Sequence, residues 1–227
     1  LHGCLVGGWL GGSLGACAVN AQADVLPSLG VPVRQSSGAS GLNLAVPVAV
    51  NGPMEFALES SEDLGGWKTL WNYSFREGTD TLLVADPNPL SGAGRFYRVR
   101  SPGDSLDDLE TAWVNQGLVS YRFRYEPRIG FCNCVKSATI TVVNGVVTDV
   151  SDAILATGFP LPNPNPADFR SIEQLFESVR GYQRSQNYLW VRIAYDPDRR
   201  FPRDVLLGGH PDGFKGFTIS QVEILQR

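Results

Sequence analysis

The chain has 227 residues, of which 43% are hydrophobic and 19% charged, and a formal net charge of −4. That balance is globular and not disordered, it suits one large domain or two small ones, and its mild acidity leaves no global electrostatic footprint for nucleic acid. The 25 Gly and 15 Pro favour many turns and short strands over long helices.

In chain order, the first 23 residues hold no Asp, Glu, Lys or Arg. Their run CLVGGWLGGSLGACAV is apolar, Gly-rich and too short to span a bilayer comfortably. Ala21-Gln22-Ala23 supplies an A-x-A cleavage pattern before Asp24. Residues 1–23 therefore read as a secretory signal peptide, which implies a secreted or periplasmic product with no transmembrane span in the mature chain. Leu14 to Cys17 (LGAC) also resembles a bacterial lipoprotein box, so a lipid anchor on Cys17 is the alternative. A buried apolar hairpin fits less well, because the segment lacks polar periodicity. Loss of Cys4 and Cys17 with this segment would leave Cys132 and Cys134 alone.

Residues 24–101 read as an all-β, sandwich-like module. A Pro-, Gly- and Ser-rich leader is followed by LNLAVPVAV, a turn at Asn51-Gly52, MEFALES, WKTLWNYSF, TDTLLVAD and RFYRVR. About five or six short strands within roughly 80 residues, each bounded by turn formers, argue for a small antiparallel sandwich. Pro102-Gly103 then marks a linker.

Residues 104–227 read as an α+β domain with two helices on an antiparallel sheet. Ser105 and Asp108 resemble a helix start, with Leu106, Leu109 and Trp113 on one face and Gly117 available to end it. Val119, Tyr121, Phe123 and Tyr125 alternate with Ser120, Arg122, Arg124 and Glu126, the pattern of a half-buried strand. Asn144-Gly145 predicts a hairpin within ATITVVNGVVTDV. After the Pro-rich loop FPLPNPNPADF, Ser171 caps a helix with Ile172, Leu175, Phe176 and Val179 at i, i+3, i+4 and i+7. The strands YLWVRIAY, RDVLLG and FTISQVEIL follow, the last with a bulge near Ser220-Gln221.

Two resemblances attach to these modules. Ser61, Asp63, Leu64 and Trp67, closing with Arg95, Phe96, Tyr97 and Arg98, resemble a β-module that recurs in secreted bacterial proteins. It covers roughly residues 42–100 and implies a fibronectin-like or carbohydrate-associated sandwich with no assigned chemistry. The second module is similar to a bacterial family of secreted and lipoprotein domains, domain of unknown function 6174. Trp113, YRFRY, Phe131-Cys132 with Cys134, ITVVNGVVTDV, SIEQLF, VRIAYDP and Phe201-Pro202 carry that resemblance in order. The family tends to have Gly before the aromatic-Pro pair, where this chain has Arg200. It tends to have Asp at the end of the next strand, where this chain has Gly208. The resemblance implies architecture and compartment, and no activity.

The chemistry-bearing residues are few. Beyond residue 23 the one histidine is His210, in GGHPDGFKG. A zinc site with several His ligands is thereby excluded, and a Ser-His-Asp triad lacks a G-x-S-x-G elbow. No P-loop is present, and no G-x-G-x-x-G opens a helix. Asp196, Asp198 and Asp212 form a partial calcium-like run, but no full D-x-D-x-D-G loop exists and Asp-Pro is first a turn former. Asp204 adds a further carboxylate, and carboxylate-dependent hydrolysis cannot be read from spacing. Arg122, Arg124 and Arg192 could line one sheet face as an anion groove, against the simpler reading of a solvated face.

Cys132 and Cys134 would point to one side of an extended strand, with Cα atoms about 6.6 Å apart, near the upper limit for a disulfide. A bend at Pro127 and Gly130 would close the gap. The expected bond is local and structural, because so small a ring removes little chain entropy. Free thiols and an exchangeable redox pair stand as alternatives, although there is no C-x-x-C. The resulting expectation is a secreted, non-enzymatic binding or envelope-structural protein. It would have no cofactor, metal or catalytic residue, and an envelope or extracellular ligand. The alternatives are a thiol-redox protein using Cys132 and Cys134, or a carboxylate-dependent hydrolase.

Overall fold

The computed structural model describes residues 6–7, 33–34, 42–50, 53–76, 78–85, 96–128, 134–208 and 213–227. Several sequence expectations lie outside them: the Ala21-Gln22-Ala23 site, Cys17, the Asn51-Gly52 turn, Cys132, His210 and Asp212. The chain divides into two compact units, Leu1–Pro102 and Gly103–Arg227.

The described elements of the first unit are all strands. They are β1 (Val6–Gly7), β2 (Val33–Arg34), β3 (Leu42–Val50), β4 (Met54–Ser61), β5 (Lys68–Phe75), β6 (Gly78–Ala85) and β7 (Phe96–Arg100). Antiparallel pairing gives one row β1-β7-β4-β5 and a separate sheet β2-β3-β6. Strand β4 is buried at consecutive positions from Phe56 to Ser61, so it is covered on both faces. Phe56 stacks on Tyr73 of β5 with ring centroids 5.0 Å apart.

The second unit holds α1 (Leu106–Val114), β8 (Ser120–Arg128), β9 (Val135–Val143), β10 (Val146–Leu155), α2 (Ile172–Arg184), β11 (Trp190–Tyr195), β12 (Pro202–Gly208) and β13 (Lys215–Gln226). Its strands run antiparallel in the order β11-β12-β13-β8-β9-β10. This is an α+β arrangement. Both helices open on capping boxes, Ser105 with Asp108 and Ser171 with Gln174, which satisfy first-turn amides that have no helical partner. Ile172, Leu175, Phe176 and Val179 of α2 are all but fully buried in the core that Tyr121, Phe123, Ile140 and Phe217 form from the sheet. Each such side chain contributes about 1.5–3 kcal/mol of transfer free energy.

Helix α1 closes at Asn115, two residues before the left-handed Gly117. Asn144 and Gly145 both take positive φ at the β9–β10 turn, the geometry that a two-residue hairpin requires. The register of β13 on β8 shifts between Ser220 and Glu223, where Gln221 has φ 52°. Among the described residues no helix is long and apolar enough to cross a membrane.

Two glycines are required by close approach. A Cβ on Gly208 would fall 2.7 Å from Cη2 of Trp190 and closer still to Cζ2 and Cε2 of that ring. Gly216 has φ 148°, and a Cβ there would lie 2.8 Å from the carbonyl carbon of Val205 and nearer to its oxygen.

Candidate basic cleft at the open end of a strand pair

Strands β8 and β9 part before either ends. Their register runs from Ser120↔Val143 to Tyr125↔Ala138 and stops. Strand β8 continues to Arg128 on its other neighbour, with Arg128 opposite Gly216 of β13. Strand β9 starts at Val135, opposite Leu155 of β10. Pro127, which has no N–H to give a ladder, lies in the parted segment.

The parting leaves a cleft of about 350 Å³, lined by Arg124, Glu126, Pro127, Arg128, Lys136, Ser137, Ile154 and Thr218. Three cations there face one carboxylate. Arg124 donates to Ser137 Oγ at 2.6 Å and lies 3.7 Å from Glu126. Arg128 is clasped by both carboxylate oxygens of Asp204 at 2.5 and 3.4 Å, and Arg192 approaches the same carboxylate at 3.6 Å. Lys136 is exposed and has no ion pair among the described residues. Guanidinium groups hold five N–H donors each, so Arg124 and Arg128 keep donors beyond those spent here.

The arginines expected on one face do share the outer face of the sheet, Arg192 in register with Arg128 through Leu206 and Gly216, but they do not meet in one groove. Arg124 lines the cleft, Arg122 pairs with Glu223 at 2.6 Å farther along β8, and Arg192 stands behind Asp204 on β11. Arg128 follows Arg124 on the same face of β8, and Lys136, Ser137 and Thr218 join them only through strand pairing. Their one sequence signal is that Arg128 and Lys136 flank the cysteine loop.

Carboxylates of the Asp-Pro run serve the backbone. Asp196 Oδ1 accepts from the amides of Asp198 and Arg199 at 3.1 and 2.7 Å, closing the β11–β12 turn. Asp198 is exposed. Among the described residues no group of three His, Cys, Asp or Glu side chains converges. Cys134 directly precedes β9, and its carbonyl accepts the Ala156 amide at 2.8 Å.

Residues carrying the two resemblances hold the fold together locally. In the first unit Asp63 Oδ1 accepts from Gly65, Gly66 and Ser61, and Trp67 Nε1 donates to the Leu64 carbonyl at 3.0 Å. The Arg98 guanidinium sits 4.1 Å over the Trp67 ring. Behind it the buried Glu59 carboxylate takes Arg98 at 2.7 Å and Arg100 at 2.5 Å. Burial alone would raise its pKa, but the hydrogen bonds and charges of Arg100 and Arg98 together hold it below the ordinary carboxylate value.

In the second unit Trp113 Nε1 and the Tyr121 hydroxyl both donate to Glu173, at 2.8 and 2.6 Å, while Tyr121 accepts the Ile172 amide. Burial and the Glu173 charge push the Tyr121 phenol far above its ordinary value, so it stays a donor. The Arg200 position, where the resembling family tends to have Gly, has φ 69°. Its amide closes the turn onto Asp196 O at 2.9 Å, so this backbone favours glycine for conformational reasons. The Gly208 position is filled from the other side by Trp190, which leaves no room for an acidic side chain.

Residues 105–211 match the model of DUF6174, a family of unknown function. The DUF6174 match spans both helices and the strands from β8 to β12, and so includes most of the cleft; Thr218 of β13 lies beyond it. No curated protein and no solved structure matches the chain.

Proposed function

We propose that the protein is an exported, non-enzymatic binding protein whose DUF6174 unit takes an anionic ligand in the β8–β9 cleft. The observation that carries this reading is the charge of the lining: Arg124, Arg128 and Lys136 against Glu126. A cleft lined mainly by one sign of charge, with low-dielectric walls, concentrates counter-ions, and the volume suits a small molecule. Binding is favoured over carboxylate-dependent hydrolysis because Asp196 and Asp204 are spent on backbone amides and arginines. Export is supported by the uncharged apolar run ending in Ala21-Gln22-Ala23, with the Cys17 anchor as the alternative. In this reading the first unit is a small β-sandwich that carries the binding unit. A local, structural Cys132–Cys134 bond at the entrance to β9 is part of this reading.

Calorimetric titration of the full chain with acetate, sulfate and phenyl phosphate tests the binding reading, with benzylamine as the cationic control. Anions should bind and benzylamine should not. Charge reversal by Lys136→Glu with Arg124→Glu should abolish the heat, and anion binding untouched by that reversal would refute the assignment. Intact mass and non-reducing peptide mapping of the exported protein test the Asp24 terminus and the disulfide.

A further inference from the structure

The cleft's charges are set by more residues than its lining. Arg128 shares Asp204 with Arg192, so the connected group runs across four strands: Arg124, Glu126 and Arg128 on β8, Lys136 on β9, Asp204 on β12 and Arg192 on β11. Counted over the lining alone, three cations stand against one carboxylate. Counted over the whole group, four stand against two. Both counts leave two positive charges uncompensated. The β13 and β10 contributions, Thr218 and Ile154, carry no charge.

The donors have distinct settings. Arg128 is held in orientation by two contacts with Asp204 and is 40% exposed. Arg124 is held by Ser137 Oγ. Lys136 is exposed and unpaired among the described residues. Two oriented guanidinium groups and one exposed ammonium, with the Ser137 and Thr218 hydroxyls beside them, suit a compact oxyanion with several acceptor oxygens. Pro127 and Ile154 add an apolar wall for a small organic body.

We infer that the cleft recognises a dianionic phosphate monoester, with its phosphate between Arg124, Arg128 and Lys136 and its organic part against Pro127 and Ile154. This rests on the anion-binding reading above and names its ligand class. A dianion neutralises the two uncompensated charges, whereas a monoanion of the same shape leaves one unmet. Phosphate monoesters take up their second charge near about pH 6, so affinity should follow that ionisation.

The test is calorimetry on the full chain with phenyl phosphate and benzenesulfonate, which share shape but differ by one charge, at about pH 7.5 and about pH 5. Phenyl phosphate should bind at least about tenfold more tightly at the higher pH, equivalent to about 1.4 kcal/mol, and that advantage should vanish at the lower pH. Glu126→Gln should tighten phenyl phosphate, and Lys136→Ala should weaken it by about tenfold or more. Equal binding of the two probes at the higher pH would overturn the dianion assignment while leaving the anion cleft standing. Failure of both probes to bind would overturn the cleft reading itself. Flotation with phosphatidylcholine vesicles containing phosphatidate separates the two sources of the phosphate. Lys136-dependent flotation with weak phenyl phosphate binding assigns it to a lipid headgroup, and binding of phenyl phosphate without flotation assigns it to a soluble ester. Binding that survives Lys136→Ala and Arg124→Ala together would place the phosphate elsewhere and refute the inference.

Discussion

Gly208→Ala should destabilise the second unit through one contact, with Trp190. The new methyl would fall 2.7 Å from Cη2 of that ring and inside its van der Waals envelope. Trp190 is only 9% exposed and packs 6.0 Å from the Phe214 ring, so it must leave a formed site. Forcing a methyl into such packing costs about 1–3 kcal/mol, and complete loss of the Trp packing sets a ceiling of about 3–5 kcal/mol. Gly208 is not left-handed, so the loss of unfolded-state freedom returns about 0.4–1 kcal/mol. The net expectation is a loss of about 1–3 kcal/mol. Amide hydrogen exchange of β11 to β13 reads this unit separately from the first. In a Trp190→Ala background the same substitution should cost nothing and could stabilise by about 0.4–1 kcal/mol. An equal cost in both backgrounds would refute the reasoning, because the clash would then not be its source. Gly208→Asp, the residue the resembling family tends to carry, should cost more than Ala.

Three further outcomes follow from the local networks. Arg200→Gly relieves a left-handed backbone at an exposed turn and gives up only a 3.4 Å contact with Asp104; the strain relief of about 1–2 kcal/mol should slightly exceed the entropy cost, giving unchanged or raised stability by thermal melting. Tyr121→Phe removes the acceptor of the buried Ile172 amide and one donor to Glu173, so urea unfolding should show a loss of about 1–3 kcal/mol. Glu59 has a lowered pKa in the folded state, so its contribution is complete above the unfolded carboxylate value of about 4.3 and is lost as pH falls through the folded value. Glu59→Gln should therefore flatten the acid limb of the pH–stability curve, and an unchanged limb would show that the Arg98 and Arg100 contacts contribute nothing.

Much of the second unit was legible because its signals are local. Ser105 and Ser171 cap within one turn, the α2 apolar residues repeat at helical spacing, and Asn144-Gly145 accepts positive φ, so each element is specified by residues a few positions apart. The resemblance motifs were legible as patterns, but their meaning was not. Only the fold brings Glu59 to Arg98 and Arg100 some forty positions away, and Trp113 to Glu173. The Arg200 departure becomes intelligible once its φ is known, and the Gly208 departure once Trp190 is seen above it.

By itself, the sequence determined where helices start, where one hairpin turns and which residues could carry charge. The tertiary structure alone decided which charges meet. Arg124, Arg128 and Lys136 share a cleft because β8 pairs onward with β13 while β9 pairs with β10, and strand partners are chosen by long-range burial that no local window contains.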